Sequence, residues 1–366
     1  MQDASRSRPW RGSDADRSEL ASRGASIGAG EDFSRIARLF IFDTDVSLQA
    51  YPGDGQDPTA PATIRALDSA LEEALGRCLF FERTLSRTRG DSDIARAHAA
   101  APAPVEVAPE TAELVGLALG YCEASGGLFD VTMGTVTSLW DFHIGRVPSR
   151  LELSRALGHV GFERIGLDAR ADPPTLSIDD PETILDLGGI AKGYIADDLA
   201  GLLTSRGVER FVLNLGGNVL VRGGRPGTFS PSSRVRPGDP WRIGIVNPRD
   251  LAHHRAIVDV ASGSVVTSGL SERCFTAGGV TYHHILDPAT GMPASTDVAS
   301  ATIVAEHSLD CDGWSTTALM LGSERAIEFI DRLPGVEAVI ITDRDEVLWT
   351  PGIAESLSLI PTLPAL

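Results

Sequence analysis

Apolar positions along this chain recur at two spacings, and the changes between them mark its elements. In LFIFDTDVSLQAY, Val46, Leu48 and Ala50 alternate with Ser47 and Gln49, the period of a half-buried strand. The run reads as one long strand from about Arg38. From about Ala62 to Ser86, Leu67, Ala70, Leu71, Ala74 and Leu75 return every three or four residues, as on one helix face. A second helix is expected over Pro109 to Ala124, with Pro109 in a first-turn position. The middle is strand-rich. RIGLD and TLSID are short candidates, ILDLGGIAKGYIADDLAGLL reads as strand, glycine turn and helix, and RFVLNLGGNVLVRG reads as a hairpin bent at Gly216 and Gly217. WRIGIVNP, RAIVDVA, GSVVTSG and HHILDP add β content. A strand over Ala299 to Ala305, helices over Leu309 to Leu321 and Glu324 to Leu333, and strands EAVIITD and EVLWT close the pattern.

Strands and helices mixed without a regular βαβ rhythm indicate an α+β fold, with mixed sheets and packed helices, rather than a doubly wound sheet. One bilobed domain is expected over residues 36–350. Residues 1–35 are aperiodic and rich in Arg, Ser, Asp, Gly and Ala, a composition expected to be disordered. Residues 351–366 read as a tail.

Composition narrows the function. The chain has 366 residues and is 42% hydrophobic, enough for a sizeable core without disulfide or metal staples. A formal net charge of -18 argues against nucleic acid and against unaided adhesion to anionic membranes. It leaves room for a phosphate-bearing ligand if a cation or a helix N-terminus neutralises the phosphates locally. Cys78, Cys122, Cys274 and Cys311 are isolated, so neither a zinc site of usual spacing nor a disulfide framework is expected. No stretch is apolar for long enough to span a bilayer, and the N-terminus lacks a signal-peptide core; the expected location is cytoplasmic.

Four segments carry candidate chemistry. In DLGGIAKGYIADD, Gly188 and Gly189 permit close backbone approach and Lys192 adds charge in the first turn of the helix. Together they suit a diphosphate, and alone they also suit a tight turn with a surface lysine. In SLDCDGWSTTALMLG, Asp312 and Thr316 project from one helix face, hard oxygen ligands suited to Mg²⁺, with Ser315 as a further oxygen and Ser308 as a cap. The same residues equally serve a helix start and its packing. In YHHILDPATGMP, His284 alternates with Ile285 and can take a proton from a hydroxyl, or can be a satisfied structural histidine. In GGLFDVTMGTVTSLWDF, Phe129, Trp140 and Phe142 can line a flat-ring pocket and Asp130 can accept from a base or sugar, or the segment is core plus turn.

The order of LDLGGIAKGYIADDLA, LNLGGNVLVRG, WRIGIVNPRD, VVTSGLSER, HHILDPATGMP and CDGWSTTALMLG resembles the ApbE family of FAD:protein FMN transferases, over roughly Leu39 to Thr350. The resemblance implies an α+β catalytic domain often called a T-fold. It implies an enzyme that uses Mg²⁺ and takes FAD as substrate. FMN is transferred to a Thr or Ser hydroxyl of an acceptor protein with an FMN-binding domain, and AMP is released. By position, Asp312, Thr316, Ser315 and the Gly189 carbonyl match metal ligands. Leu128, Phe129, Asp130, Asp186, Lys192 and Leu286 match FAD-contacting positions, and His284 matches the acceptor-activating base. Relatives that hydrolyse FAD to FMN and AMP, and an FAD-binding protein without chemistry, are the alternatives. The chain differs from the family pattern at Phe42-Asp43-Thr44, where relatives read MGT. It also differs at Asp93 and His98, in place of Glu and Asn, and at Leu270-Ser271.

Overall fold

A computed structural model describes residues 13–227 and 235–361. The fold is α+β, and the chain divides into two compact units.

The first unit takes its described residues from Met1–Glu82, Ile195–Trp241 and Val260–Gly263. Its strands run Ser26–Ala29, Arg35–Ile41, Thr44–Tyr51, Arg210–Leu215 and Asn218–Arg222, each antiparallel to the next. The alternation seen in sequence is realised: Val46, Leu48 and Ala50 are buried while Ser47 and Gln49 are half-buried. The expected single strand from Arg38 to Tyr51 is instead a hairpin. It turns at Phe42 and Asp43, whose φ angles of 57° and 58° are both left-handed. Such a turn normally declares itself by Asn-Gly or Asp-Gly, and Phe-Asp carries no such signal. Helix Pro61–Leu85 buries Leu67, Ala70, Leu71, Ala74 and Leu75. Its polar side pairs with the chain after Tyr194: Arg77 forks onto Asp198 with both contacts at 2.8 Å, and Arg206 onto Glu73 with both at 2.6 Å.

The segment expected to be disordered carries structure from Ser13 onward; residues 1–12 lie outside the described residues. Helix Asp14–Ser22 begins at a capping box in which Ser13 and Asp16 satisfy each other's amides. Strand Ser26–Ala29 then pairs with Arg35–Arg38. Local capping and strand pairing outweigh a composition poor in apolar residues.

The second unit comprises Arg83–Tyr194, Arg242–Asp259 and the described part of Ser264–Leu366. Strands Gly263–Gly269, Val298–Ala305, Val336–Thr342 and Val347–Trp349 pair antiparallel in that order. Helix Ser308–Leu321 packs on Val298–Ala305 and against helix Ser323–Ile330. Helix Pro109–Ala124 occupies the predicted residues. Periodicity does not foretell helices Asp93–Ala100 and Arg150–Leu157, the second with a Ser149/Glu152 capping box. HHILDP is not a strand: Val280–His283 ends at His283, and Asp287 to Gly291 form a turn in which the Gly291 amide donates to the Asp287 carbonyl at 2.7 Å. The tail is partly structured too, since Leu357–Leu359 pairs with Ala256–Val258; residues 362–366 lie outside the described residues. Among the described residues no helix is long and apolar enough to cross a membrane.

Candidate functional site

The glycine bend is held by side chains rather than by a strand. Ile184 makes one parallel bridge to Met133, in place of the strand expected over ILDL. The Ile184 amide donates to Thr135 Oγ1 at 2.8 Å, the Leu185 amide to His98 Nε2 at 2.7 Å and the Asp186 amide to the Val131 carbonyl at 2.7 Å. Asp186 then accepts from the Gly188 amide at 2.9 Å, and its other oxygen lies 3.3 Å from Arg87. Helix Ala191–Ser205 follows. The amides of Gly189 and Lys192 have no protein acceptor among the described residues, which makes this end a natural anion cradle. The Lys192 ammonium stays local, 3.4 Å from the Gly188 carbonyl.

A second helix start is pressed onto this one. A Cβ on Gly193 would lie 2.5 Å from the Ser308 carbonyl oxygen, 2.8 Å from Asp312 Cβ and 2.8 Å from Leu309 Cα. Only glycine permits that approach, and it puts the Gly193 amide 2.9 Å from Asp312 Oδ2. Asp312 is 5% exposed. Burial pushes its carboxyl above the usual carboxylate range, with the Lys192 charge and the Gly193 amide acting the other way. A buried carboxylate held by one amide is electrostatically under-compensated, and a cation would relieve it. Thr316, one turn on, is half-buried, and its hydroxyl makes no hydrogen bond among the described residues. Among the described residues no group of three or more His, Cys, Asp or Glu is placed for a metal. Asp312 and Thr316 offer one carboxylate and one hydroxyl, four residues apart on one helix. That fits Mg²⁺, which keeps few protein ligands and completes its shell with phosphate and water.

The other expected residues divide. Ser315 is fully buried and its hydroxyl is committed to Ser268 Oγ at 2.8 Å and the Asp312 carbonyl at 3.1 Å. Ser308 is not a cap: His307 holds that position, and Ser308 Oγ accepts from Ser264 Oγ at 2.9 Å. Phe129 lies under the bend, its Cε2 3.2 Å from where a Gly189 Cβ would sit, and Leu128 is half-buried beside it in sequence. Asp130 accepts from the Thr132 amide at 2.7 Å, Thr132 Oγ1 at 2.6 Å and the Phe162 amide at 3.2 Å. Leu286 is core, packed with Val136, Trp140 and Leu153. Trp140 and Phe142 make no ring contact with Phe129 among the described residues. They stack on each other at 5.8 Å and meet Tyr282 and Phe275.

His284 follows strand Val280–His283, its amide donating to the Arg273 carbonyl at 3.1 Å. Its Nδ1 is buried without a partner among the described residues. Burial first, then the Arg273 charge, lowers its pKa to about 4, and Lys192 contributes in the same direction. The ring is therefore neutral at neutral pH and able to accept a proton. Glu272 shares this neighbourhood. The residue is exposed, yet its carboxyl end turns in toward Gly269. Burial of that end raises its pKa, Lys192 and Arg273 oppose the rise, and Asp312 adds to it. Lys192, Asp312, His284, Glu272 and Arg273 thus form one electrostatic cluster, with Gly189, Phe129 and Asp186 on the adjoining bend. Sequence reasoning gives no role to Glu272, Arg87 or Ser268. No spacing singles them out, because each acts across a turn or between elements.

The chain is similar to known proteins over most of its length. The model of the ApbE family matches residues 42–340. A Treponema pallidum protein named FAD:protein FMN transferase is 36% identical over 299 residues, 80% of this chain and 82% of that protein. A Salmonella typhimurium protein of the same name is 31% identical over 68% of this chain and 70% of its own length. The crystal structure of the ApbE protein from Thermotoga maritima superposes with a TM-score of 0.76 at 28% identity, covering 88% of this chain and 99% of that one.

Proposed function

This chain belongs to the ApbE family and is an FAD:protein FMN transferase, and on that premise we propose that it moves FMN from FAD to a Thr or Ser hydroxyl of an acceptor flavoprotein in a Mg²⁺-dependent reaction. The observation that carries the reading is the Gly193–Asp312 contact. It sets a buried, under-compensated carboxylate against the start of a helix with free amides.

The bend and Lys192 bind the diphosphate, with the Gly189 and Lys192 amides as donors. Asp312, Thr316 and the Gly189 carbonyl would hold Mg²⁺. When bound, the ion neutralises phosphate oxygens and the charge that develops on them. His284, neutral before substrate arrives, accepts the proton of the acceptor hydroxyl. The hydroxyl oxygen bonds to the phosphorus of the FMN half, the bond from that phosphorus to the bridging oxygen breaks, and AMP leaves with that oxygen. The negative diphosphate raises the basicity of His284, opposing Arg273 and Lys192. Glu272 and Arg87 orient Lys192 and Asp186.

The test is to incubate the chain with FAD, Mg²⁺ and extract from a host lacking its own flavin transferase, then read flavin fluorescence of denatured proteins in gels. New fluorescent bands, each yielding a Thr or Ser peptide heavier by one FMN, are expected. Free FMN without any modified protein would instead identify an FAD pyrophosphatase.

A further inference from the structure

We propose that His98 is a positioning residue of this site: as a neutral imidazole it fixes, through the Leu185 amide, the segment that enters the glycine bend. Nothing in the proposed chemistry uses His98, yet the structure commits one of its ring nitrogens. The Leu185 amide is a donor only, and it lies 2.7 Å from His98 Nε2. Nε2 must therefore carry its lone pair, and the ring proton sits on Nδ1.

The position of this bond gives it leverage. Ile184 to Leu187 is not part of a named strand, so its backbone lacks a ladder to hold it. Thr135, His98 and the Val131 carbonyl take three successive amides, at Ile184, Leu185 and Asp186. His98 is the only titratable partner of the three. The next residues are Asp186, tied to Arg87, then Gly188 and Gly189. A shift at Leu185 is passed directly to the donors that face the diphosphate.

Protonation would replace the acceptor by an N–H aimed at an N–H, so the clamp holds only while the ring is neutral. The groups around it favour neutrality on balance. Burial and the Arg87 charge lower the His98 pKa, and Asp186 opposes them. On the same helix, Asp93 and Arg96 neutralise each other in an ion pair. Strand Thr175–Ile178, packed against that helix, brings no titratable side chain, and strand Val105–Glu106 brings only exposed Glu106.

The inference rests on reading Asp186 to Lys192 as the diphosphate-binding segment, and the test separates the two. FAD affinity in Mg²⁺ is measured by calorimetry across mildly acidic to neutral pH for the native protein, His98→Gln and His98→Ala. Gln places an oxygen acceptor near the position of Nε2 and does not titrate. His98→Gln should bind FAD as the native protein does at neutral pH and lose the part of the acid-side weakening due to His98. His98→Ala, with a stranded amide, should bind about five- to a hundredfold more weakly at every pH. Nitrogen NMR of the labelled imidazole, without FAD, should show the Nδ1–H form. Native and Gln proteins with identical acid limbs, or an Nε2–H ring, would overturn the proposal. Failure of the native protein to bind FAD, with the Nδ1–H form still seen, would overturn the functional reading and leave the clamp intact.

Discussion

Replacing Gly193 by Ala tests the contact on which the site is built. The added methyl would sit 2.5 Å from the Ser308 carbonyl oxygen and 2.8 Å from Leu309 Cα. Both are backbone atoms inside a helix and cannot swing aside, so the two helix starts must part. Overpacking of this kind costs about 1–3 kcal/mol. Stretching the Gly193 amide from the Asp312 carboxylate, now 2.9 Å, costs about 1.5–3 kcal/mol more. The expected loss is roughly 2.5–6 kcal/mol, which for a domain of about 150–250 residues lowers Tm by about 2–4 °C per kcal/mol. Gly201 is the internal control. It lies in the same helix, and a Cβ there would have nothing within 4 Å, so Gly201→Ala should stabilise by about 0.5–1 kcal/mol. Urea and thermal unfolding of both variants measure the difference. If Gly193→Ala unfolds with the native protein or with Gly201→Ala, the helices do not touch as described.

Other substitutions separate binding from chemistry. Asp312→Asn keeps an oxygen for the Gly193 amide but removes the charge; it should fold, change Tm by only a few degrees, and lose Mg²⁺-dependent FAD binding in calorimetry. Thr316→Val removes the hydroxyl and should weaken the Mg²⁺ requirement curve about tenfold, equivalent to about 1.4 kcal/mol, while leaving unfolding unchanged. His284→Ala should retain FAD binding and lose about 10²–10⁴ in transfer rate, the usual scale of general base catalysis; full activity would reassign the base. His284 also links stability to pH. Its folded pKa, about 4, is below the ordinary value of about 6.5. Its stabilisation is present above that ordinary value and is lost as pH falls toward 4, on the order of 3 kcal/mol. His284→Ala should flatten urea-derived stability over that window, and an unchanged slope would show that the ring is not buried neutral.

What can be read from the sequence is periodic or local. Val46, Leu48 and Ala50 declare a strand face, and Leu67 to Leu75 a helix face, because burial repeats at the element's own period. Asp312 and Thr316 are legible as a pair since four residues bring side chains to one helix face. Much else depends on contacts between distant residues. The turn at Phe42 and Asp43 uses left-handed backbone without a glycine, so its sequence resembles continuous strand. Ser315 reads as a free oxygen until Ser268, 47 positions away, is seen to take it. Residue type shows what Asp130, Trp140 and Phe142 can bind, but not that Asp130 also accepts from the Phe162 amide or that Trp140 stacks on Phe142. Gly193 has no distinguishing mark in its motif, although its missing side chain lets the two helix starts meet.

The most direct measurement follows all three products in one reaction with FAD, Mg²⁺ and an acceptor identified by in-gel flavin fluorescence. AMP, free FMN and protein-bound FMN would be quantified over time for the native chain and Asp312→Asn. The account predicts AMP and protein-bound FMN rising one for one, with little free FMN, and neither product from the variant. AMP matched by free FMN alone, or undiminished transfer by Asp312→Asn, would contradict it.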